Sequence, residues 1–333
     1  MRILVAGDHF VTPGLVEAAL RARLGDELVV TTLTSAWPYQ PFGKIGEVDE
    51  ACGDEDELIA ALAGVEVAVT QMAPFTARVL EAADALRLIV CTRGGPVNVN
   101  VAAAAERGIE VRSTPGRNAP AAAEHTLALM LAALRRIPDV HPTVRGGEWR
   151  SDLYALDAAG RELSGATVGL VGYGAIGARV ARILAAFDAS VVVYDPYAAG
   201  VDTVSTLDEL LSRADVVSLH ARLTAETHHM IDAAALGRMP RGAVLVNTAR
   251  GGLVDYDAVV DALESGQLGA AAFDVFEAEP IPAGSRILTA RNVVLTPHLA
   301  GATVQTAERA ATMAAEAVAD YGLRVRSCPP DRS

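Results

Sequence analysis

Hydrophobic positions along the chain fall into short runs separated by amphipathic stretches. The runs Ile3 to Ala6, Leu28 to Val30, Val65 to Thr70 and Leu88 to Cys91 read as buried strands. Helix-like patterns over Leu15 to Arg23, Asp56 to Ala63 and Ala77 to Ala85 lie between them. Strand and helix in strict alternation predict a mainly parallel, doubly wound sheet, in which strands are apolar on both faces. A second and clearer alternation begins at Thr167 with Val168 to Val171, Ser190 to Tyr194, Val216 to Leu219 and Val244 to Asn247. Runs at Ala271 to Asp274 and Val293 to Leu295 extend it.

Two α/β units joined end to end account for this pattern. The turn-rich stretch Thr114 to Asn118 marks the join and leads into a long helix over residues 119 to 137. That helix is apolar nearly all round, so it is expected to be buried between domains or at a subunit contact. Residues 138 to 163, which include Gly146, Gly147, Trp149 and Tyr154, have weak periodicity and read as an arm or long loop. A last amphipathic helix, over residues 303 to 321, is expected to return to the first domain.

Composition narrows the class. A chain of 333 residues exceeds what one hydrophobic core usually serves, which supports two domains. With 51% hydrophobic and 21% charged residues it is a packed globular protein rather than a disordered one. A net charge of −13 argues against nucleic acid or an anionic membrane surface as the main partner, while leaving room for a small anionic ligand in a local pocket. Lys44 is the one lysine of the chain, in a stretch punctuated by Pro and Gly, so neither a Walker phosphate loop nor a Schiff-base lysine is available. Cys52, Cys91 and Cys328 are unclustered and fit a reducing cytosol. The opening run Met1 to Gly7 reads as a strand rather than a signal peptide, and the longest strongly apolar stretch, Thr126 to Leu134, is far below the roughly 20 residues that span a bilayer. A cytoplasmic location is expected. No metal site is expected either: His228-His229 reads as a surface pair, and no HExxH or paired CxxC occurs.

The chemistry begins at Gly172-Tyr-Gly-Ala-Ile-Gly177, which follows the strand Val168 to Val171 and opens a helix over residues 178 to 187. In that context Gly172 permits a tight turn, Gly174 lets the backbone approach a pyrophosphate, and Gly177 lets helix pack on strand. Asp195 ends the next strand, 18 residues beyond Gly177, where a carboxylate accepts hydrogen bonds from ribose hydroxyls and repels a 2′-phosphate. NAD is therefore expected in preference to NADP. The competing reading is that the glycines only make a turn and Asp195 only caps one.

Three further segments leave strand ends: Asn247-Thr-Ala-Arg-Gly-Gly252, Asp274-Val-Phe-Glu-Ala-Glu-Pro280 and Thr296-Pro-His-Leu-Ala-Gly301. Ligands bind beyond the carboxyl ends of strands in doubly wound sheets. Reduction of a 2-oxo acid needs a cation for carboxylate and carbonyl, which the planar fork of Arg250 supplies. It needs a proton donor for the developing alkoxide, which His298 supplies, and a carboxylate, Glu279, to orient the ring and favour its charged form. In the oxidative direction the histidine is the base. The plainer readings are a surface ion pair for Arg250, a cap for Glu279 and a satisfied polar histidine for His298.

The segments LVGYGAIG, LVNTARGGLVD, AAFDVFEAEP and LTPHLAGAT resemble the D-isomer-specific 2-hydroxyacid dehydrogenase family, which includes phosphoglycerate, glyoxylate/hydroxypyruvate and D-lactate enzymes. The resemblance runs from about Leu86 to the final helix and is most specific over residues 167 to 303. It implies Arg250, Glu279 and His298 as the catalytic set. It implies NAD contacts from Gly172, Gly174, Ala175, Ile176, Gly177, Asp195, Thr248, Ala249, Arg250, Asp274, His298 and Gly301, with His220 in the segment near the nicotinamide side. The D stereochemistry rests on this resemblance alone. The implied architecture is a flavodoxin-like substrate-binding lid from residues 1 to 116 and 299 to 333, a Rossmann NAD-binding domain from 117 to 298, an active site in the cleft between them, and a homodimer through the NAD-binding domains. Formate dehydrogenases of the superfamily carry glutamine where Glu279 stands, which disfavours formate; phosphite oxidisers keep all three residues and stay open. Corepressor relatives carry interaction segments beyond the enzyme core, and the short Pro/Arg tail, Arg324 to Ser333, favours an enzyme over a dinucleotide sensor.

Family members hold the substrate carboxylate with backbone N–H groups of the loop that here reads Thr92-Arg-Gly-Gly-Pro-Val-Asn98. Pro96 removes one donor, leaving Gly94 and Gly95 as the cradle. Arg93 is expected either to contact a second anionic or hydroxyl-rich group, favouring a phosphorylated or sugar-type hydroxy acid, or to form a salt bridge with a carboxylate such as Glu124. His9, Gln71 and His125 are weaker candidates for lining the site.

Overall fold

A computed structural model describes residues 1–327; Cys328 and the rest of the tail lie outside the described residues. The chain forms two compact units, one from Met1–Asn118 with Ala302–Ser333, the other from Ala119–Gly301.

The first unit is built on strands β1 (Arg2–Gly7), β2 (Val29–Thr34), β5 (Val67–Thr70), β6 (Leu88–Cys91) and β7 (Glu110–Ser113), with a small antiparallel hairpin of β3 (Gly43–Ile45) and β4 (Val48–Ala51) set apart. Its sheet is parallel throughout, in the order β2-β1-β5-β6-β7. Strands β5 and β6 are buried at every position, and this is why they read as unbroken apolar runs. The edge strand β7, Glu-Val-Arg-Ser, is half-buried and carries no such signal; neither it nor the hairpin was legible in the pattern. The last helix, Val304–Ser327, closes this unit against the helix Pro13–Leu24. Its buried face is a row of alanines, Ala307, Ala310, Ala311, Ala314 and Ala315, followed by Val318. Small side chains at helical spacing let it lie close to the sheet. It runs further than the expected end at residue 321.

The second unit holds β8 (Thr167–Val171), β9 (Ser190–Tyr194), β10 (Val216–Leu219), β11 (Ala243–Asn247), β12 (Leu268–Phe273) and β13 (Val293–Leu295) in one parallel sheet, ordered β13-β12-β11-β10-β8-β9. The chain steps from β8 to β9 on one side and then crosses to β10 on the other. The carboxyl end of β8 is thus a topological switch point, where such sheets open a crevice.

Two sequence expectations change here. The apolar helix is Ala119–Leu134, and one face of it packs on β11 and β12 inside its own unit. It stops early because Arg136 adopts a left-handed φ of 52°, and a new helix, Ile137–Arg145, starts with Pro138 in its first turn. The stretch taken for an arm or loop therefore contains that helix and a 3₁₀ turn at Ser151–Tyr154. No helix among the described residues is long and apolar enough to cross a membrane.

Candidate active site

The glycine turn sits at the end of β8. Gly172 has φ +99°, and a Cβ there would lie 2.7 Å from the carbonyl carbon of His220. A Cβ on Gly177 would lie 2.3 Å from the Gly172 carbonyl oxygen. These two glycines are demanded by the chain's own packing. Gly174 differs: nothing lies within 4 Å of its absent Cβ, and it and Ala175 are exposed, with Ile176 half-buried beside them. An open backbone ahead of the helix Gly177–Ala185 is what a pyrophosphate requires.

Asp195 lies beside this turn. Its Oδ2 accepts from the Tyr173 amide at 2.7 Å and its Oδ1 from the Tyr197 amide at 2.8 Å. The carboxylate thus shapes the glycine turn and caps its own, and each oxygen keeps a lone pair for a further donor. His220 lies beneath the turn, its Nε2 3.0 Å from Ser218 Oγ and its amide donating to the Val171 carbonyl at 2.7 Å. Burial pushes its pKa down to about 4, so the ring is neutral and supports the turn. The resemblance places His220 in the segment near the nicotinamide side, and here its ring lies under the glycine turn.

At the end of β11, the fully buried Asn247 brackets the next turn: its Oδ1 accepts from the Ala249 amide at 2.9 Å and its Nδ2 donates to the Arg250 carbonyl at 2.9 Å. Thr248 is pinned through its hydroxyl, 2.7 Å from that of Thr126, which itself donates to the Ala122 carbonyl. Arg250 is exposed, and Nη1 donates to the Ala249 carbonyl at 2.8 Å. Among the described residues no carboxylate pairs with it, so the surface ion pair envisaged as an alternative does not form. Gly251 carries the turn against the loop that follows β12; a Cβ there would lie 1.9 Å from the carbonyl carbon of Phe276.

Asp274 ends β12 with no exposed surface. Its Oδ1 accepts from Thr296 Oγ1 at 2.6 Å and the Leu299 amide at 2.7 Å, and its Oδ2 from the Ala300 amide at 2.8 Å. Burial works to raise its pKa, but hydrogen bonds from His125, Thr296 and the two amides outweigh it and hold the carboxyl below its usual value. The Asp274 carboxylate, for which the resemblance implies a cofactor contact, organises residues 296 to 300 from inside the protein. His125 joins the same network, with Nε2 3.1 Å from Thr296 Oγ1. Gly301 ends the segment, half-buried.

That network holds His298 in a left-handed conformation with φ +57°, its amide donating to the Asp274 carbonyl at 2.8 Å. Non-glycine residues pay for this geometry and cluster at functional sites. His298 Nδ1 meets Glu279 Oε2 at 2.7 Å, and Glu279 Oε1 accepts from the Phe276 amide at 2.9 Å. The Glu279 bond raises the His298 pKa against the opposing effect of burial, with the charges of Glu279 and Asp274 adding to it and that of Arg250 opposing it. Burial alone would raise the pKa of Glu279; the hydrogen bond and charge of His298 bring it below the ordinary carboxylate value. Arg250, Glu279 and His298 therefore emerge from three strand ends into one electrostatic neighbourhood, with Nδ1 occupied and Nε2 the remaining proton-carrying atom of the ring. Tyr256, which nothing in the sequence marked, donates to the Val275 carbonyl at 2.5 Å and packs on Phe273 and Phe276, steadying the Glu279 loop.

In the first unit, Gly94 and Gly95 meet nothing at their absent Cβ positions, and among the described residues neither amide N–H has an acceptor. Two open donors fit a carboxylate. Arg93 is mostly buried and salt-bridged to Glu50, with Nη1 also 3.1 Å from the Glu50 carbonyl. Arg93 thus forms the salt bridge that was one of the two expectations, with Glu50 as the carboxylate, and the guanidinium scaffolds the loop. Asn98, fully buried, ties the loop down by donating to the Ala73 carbonyl at 2.8 Å and accepting from Cys91 Sγ at 3.2 Å. Gln71 is buried and accepts from Thr92 Oγ1 at 2.7 Å, while His9 is exposed and edge-on to Tyr39. Sequence reasoning missed Asp8 and Arg117: Oδ2 of the one and Nε of the other are buried without partners. Burial and the charge of Arg93 push the Arg117 pKa down to about 10. Asp8, directly after an apolar strand, was the visible signal.

Residues 127–300 match the family model of the D-isomer specific 2-hydroxyacid dehydrogenase, NAD binding domain. The chain is 42% identical over 273 residues to a D-3-phosphoglycerate dehydrogenase of Mycobacterium tuberculosis, a match covering 80% of this chain and 51% of that protein; it spans about half the length of that relative. It is 40% identical over 276 residues to a glyoxylate reductase of Korarchaeum cryptofilum, covering 80% and 83% of the two chains. Among solved structures, D-lactate dehydrogenase from Aquifex aeolicus complexed with NAD and lactic acid superposes with a TM-score of 0.73 at 28% identity, covering 98% of this chain and 96% of that one. Glycine turn, acidic strand end, and an Arg-Glu-His set at the ends of a parallel sheet agree with these matches: the chain belongs to the D-isomer specific 2-hydroxyacid dehydrogenase family.

Proposed function

We propose that the protein is an NAD-dependent oxidoreductase that interconverts a small D-2-hydroxy acid and its 2-oxo acid. The observation that carries this reading is the 2.7 Å contact between His298 Nδ1 and Glu279 Oε2, with Arg250 free of any acidic partner among the described residues. The nicotinamide supplies or accepts the hydride when bound. Gly174, Ala175 and Ile176 would receive its pyrophosphate and Asp195 its adenosine ribose, where the carboxylate also disfavours a 2′-phosphate and so prefers NAD to NADP.

Arg250 holds the substrate carboxylate and polarises its carbonyl. His298, kept protonated by Glu279, delivers a proton from Nε2 to the oxygen during reduction and takes it back during oxidation. Glu279 stays ionised and keeps Nδ1–H fixed, so the reactive nitrogen does not change tautomer. Gly94 and Gly95 supply amides for the carboxylate, with Met1–Asn118 and the last helix forming the substrate-binding unit. Arg93, committed to Glu50, acts on the substrate by holding that loop in shape.

The test is NADH consumption against glyoxylate, hydroxypyruvate, pyruvate, phosphohydroxypyruvate and sugar-derived oxo acids, with NADPH in parallel. Turnover with one or two of these, lost in His298→Ala while NADH binding survives, is the expected result. NADH binding without turnover on any 2-oxo acid would overturn the reading.

A further inference from the structure

We propose that His228, His229 and Glu277 form a binding site for a divalent transition-metal ion of the zinc class, separate from the His298–Glu279 pair. The adjacent histidines looked like a surface pair in the sequence; the fold brings Glu277, from the loop after β12, onto them. Nε2 of His228 lies 3.6 Å and Nε2 of His229 3.4 Å from Glu277 Oε1, and the three donor atoms lie within 4.8 Å of one another.

These distances are long for hydrogen bonds. Nε2 of His229 is closed to solvent and has no hydrogen-bond partner, an uncompensated polar atom of the kind that calls for an explanation. An ion supplies one. Zinc bonds of about 2.0–2.2 Å to imidazole nitrogen and carboxylate oxygen place two ligands of a tetrahedron about 3.4 Å apart, which matches both separations to the carboxylate.

The donor set selects its class. Two imidazoles and one carboxylate suit zinc, cobalt or nickel, whereas calcium and magnesium need mostly oxygen ligands. His228 and Glu277 are about half exposed, so the fourth position opens to water. Side-chain rotation must unstack the rings before both Nε2 lone pairs converge on one ion, while the backbone beneath them is fixed. The rings stack with centroids 4.0 Å apart at 24°, and the His229 amide donates to the Gly252 carbonyl at 2.8 Å, which fixes that residue at φ +50°.

Glu277 is two residues before Glu279, and Gly252 is two after Arg250. A bound ion therefore fastens the loop that carries Glu279 to the turn that carries Arg250. Metal stripped from the full chain with a chelator, then Zn²⁺ titrated back by calorimetry, should show one equivalent bound with micromolar affinity. His228→Ala and Glu277→Gln should each weaken binding ~10-fold or more, and His229→Asn, a residue that tolerates a positive φ, should do the same. Co²⁺ should give visible bands of a tetrahedral nitrogen–oxygen site, without the sulfur charge transfer that Cys52 or Cys91 would add. Metal-free melting temperature and NADH turnover of His228→Ala should match the parent, showing that only a ligand is lost. No binding up to millimolar Zn²⁺, or binding unchanged in His228→Ala and Glu277→Gln, would overturn the proposal.

Discussion

In the proposed reduction the carbonyl oxygen takes its proton from His298, whose Nδ1 lies 2.7 Å from Glu279 Oε2. Because Glu279 raises the His298 pKa, the rate of 2-oxo acid reduction should hold at low pH and fall as pH rises through a value above that of free imidazole. Glu279→Gln should shift that falling limb to lower pH and cut kcat ~10-fold or more, read from pH–rate profiles of both proteins. The same pair shapes stability. The raised histidine pKa contributes below its unfolded value and is lost as pH rises through the folded one; the lowered Glu279 pKa contributes above its unfolded value and is lost as pH falls. Their joint contribution is greatest between the ordinary values of 4.5 and 6.5, and Glu279→Gln should flatten the pH dependence of Tm across that window. At the cofactor end, Asp195→Ala should raise the NADPH-to-NADH ratio of kcat/KM ~10-fold or more, since it removes the charge facing a 2′-phosphate.

The turns that carry these side chains are packed to different tolerances. Gly251→Ala sets a methyl 1.9 Å from the Phe276 carbonyl carbon, a backbone atom that cannot rotate away, so the variant should lose several degrees of Tm or fail to accumulate as folded protein. Gly174→Ala meets nothing within 4 Å; it should keep the parent Tm and weaken NADH binding, measured by fluorescence titration. Asp274→Ala strands the Thr296 hydroxyl and the amides of Leu299 and Ala300 and releases His298 from its left-handed conformation. Urea unfolding should show a loss of about 3 kcal/mol or more. The motif residues at these turns stood out in the sequence because they break apolar runs. Their supports did not: Asn247, Tyr256 and Thr126 are ordinary residues whose work depends on what folds against them.

At the scale of the molecule, the segment after the apolar helix leaves large hydrophobic side chains in water: Trp149, Tyr154 and Leu156 are 82%, 94% and 95% exposed. Ile137 and Val144 are exposed as well, at 52% and 51%, and side chains of this kind in one segment are candidates for cover by a second copy of the chain, as the resemblance implies. We expect light scattering on the eluting protein to report a dimer, and Trp149→Glu with Leu156→Glu to give a monomer of similar Tm. Much of this architecture was legible beforehand. Parallel strands buried on both faces write unbroken apolar runs, and β5, β6, β10 and β11 announced themselves that way. Glycines after a strand, polar residues at strand ends and the family resemblance together singled out the glycine turn and Arg250, Glu279 and His298, and the fold brings those three side chains into one neighbourhood. The tertiary structure decided whatever depends on a neighbour distant in sequence: that Arg93 is claimed by Glu50, that Asp274 organises residues 296 to 300, that His220 lies under the glycine turn, and that Glu277 meets His228 and His229. Periodicity and spacing report local backbone geometry, whereas a side chain's partner is fixed only when the sheet order brings separate strand ends together.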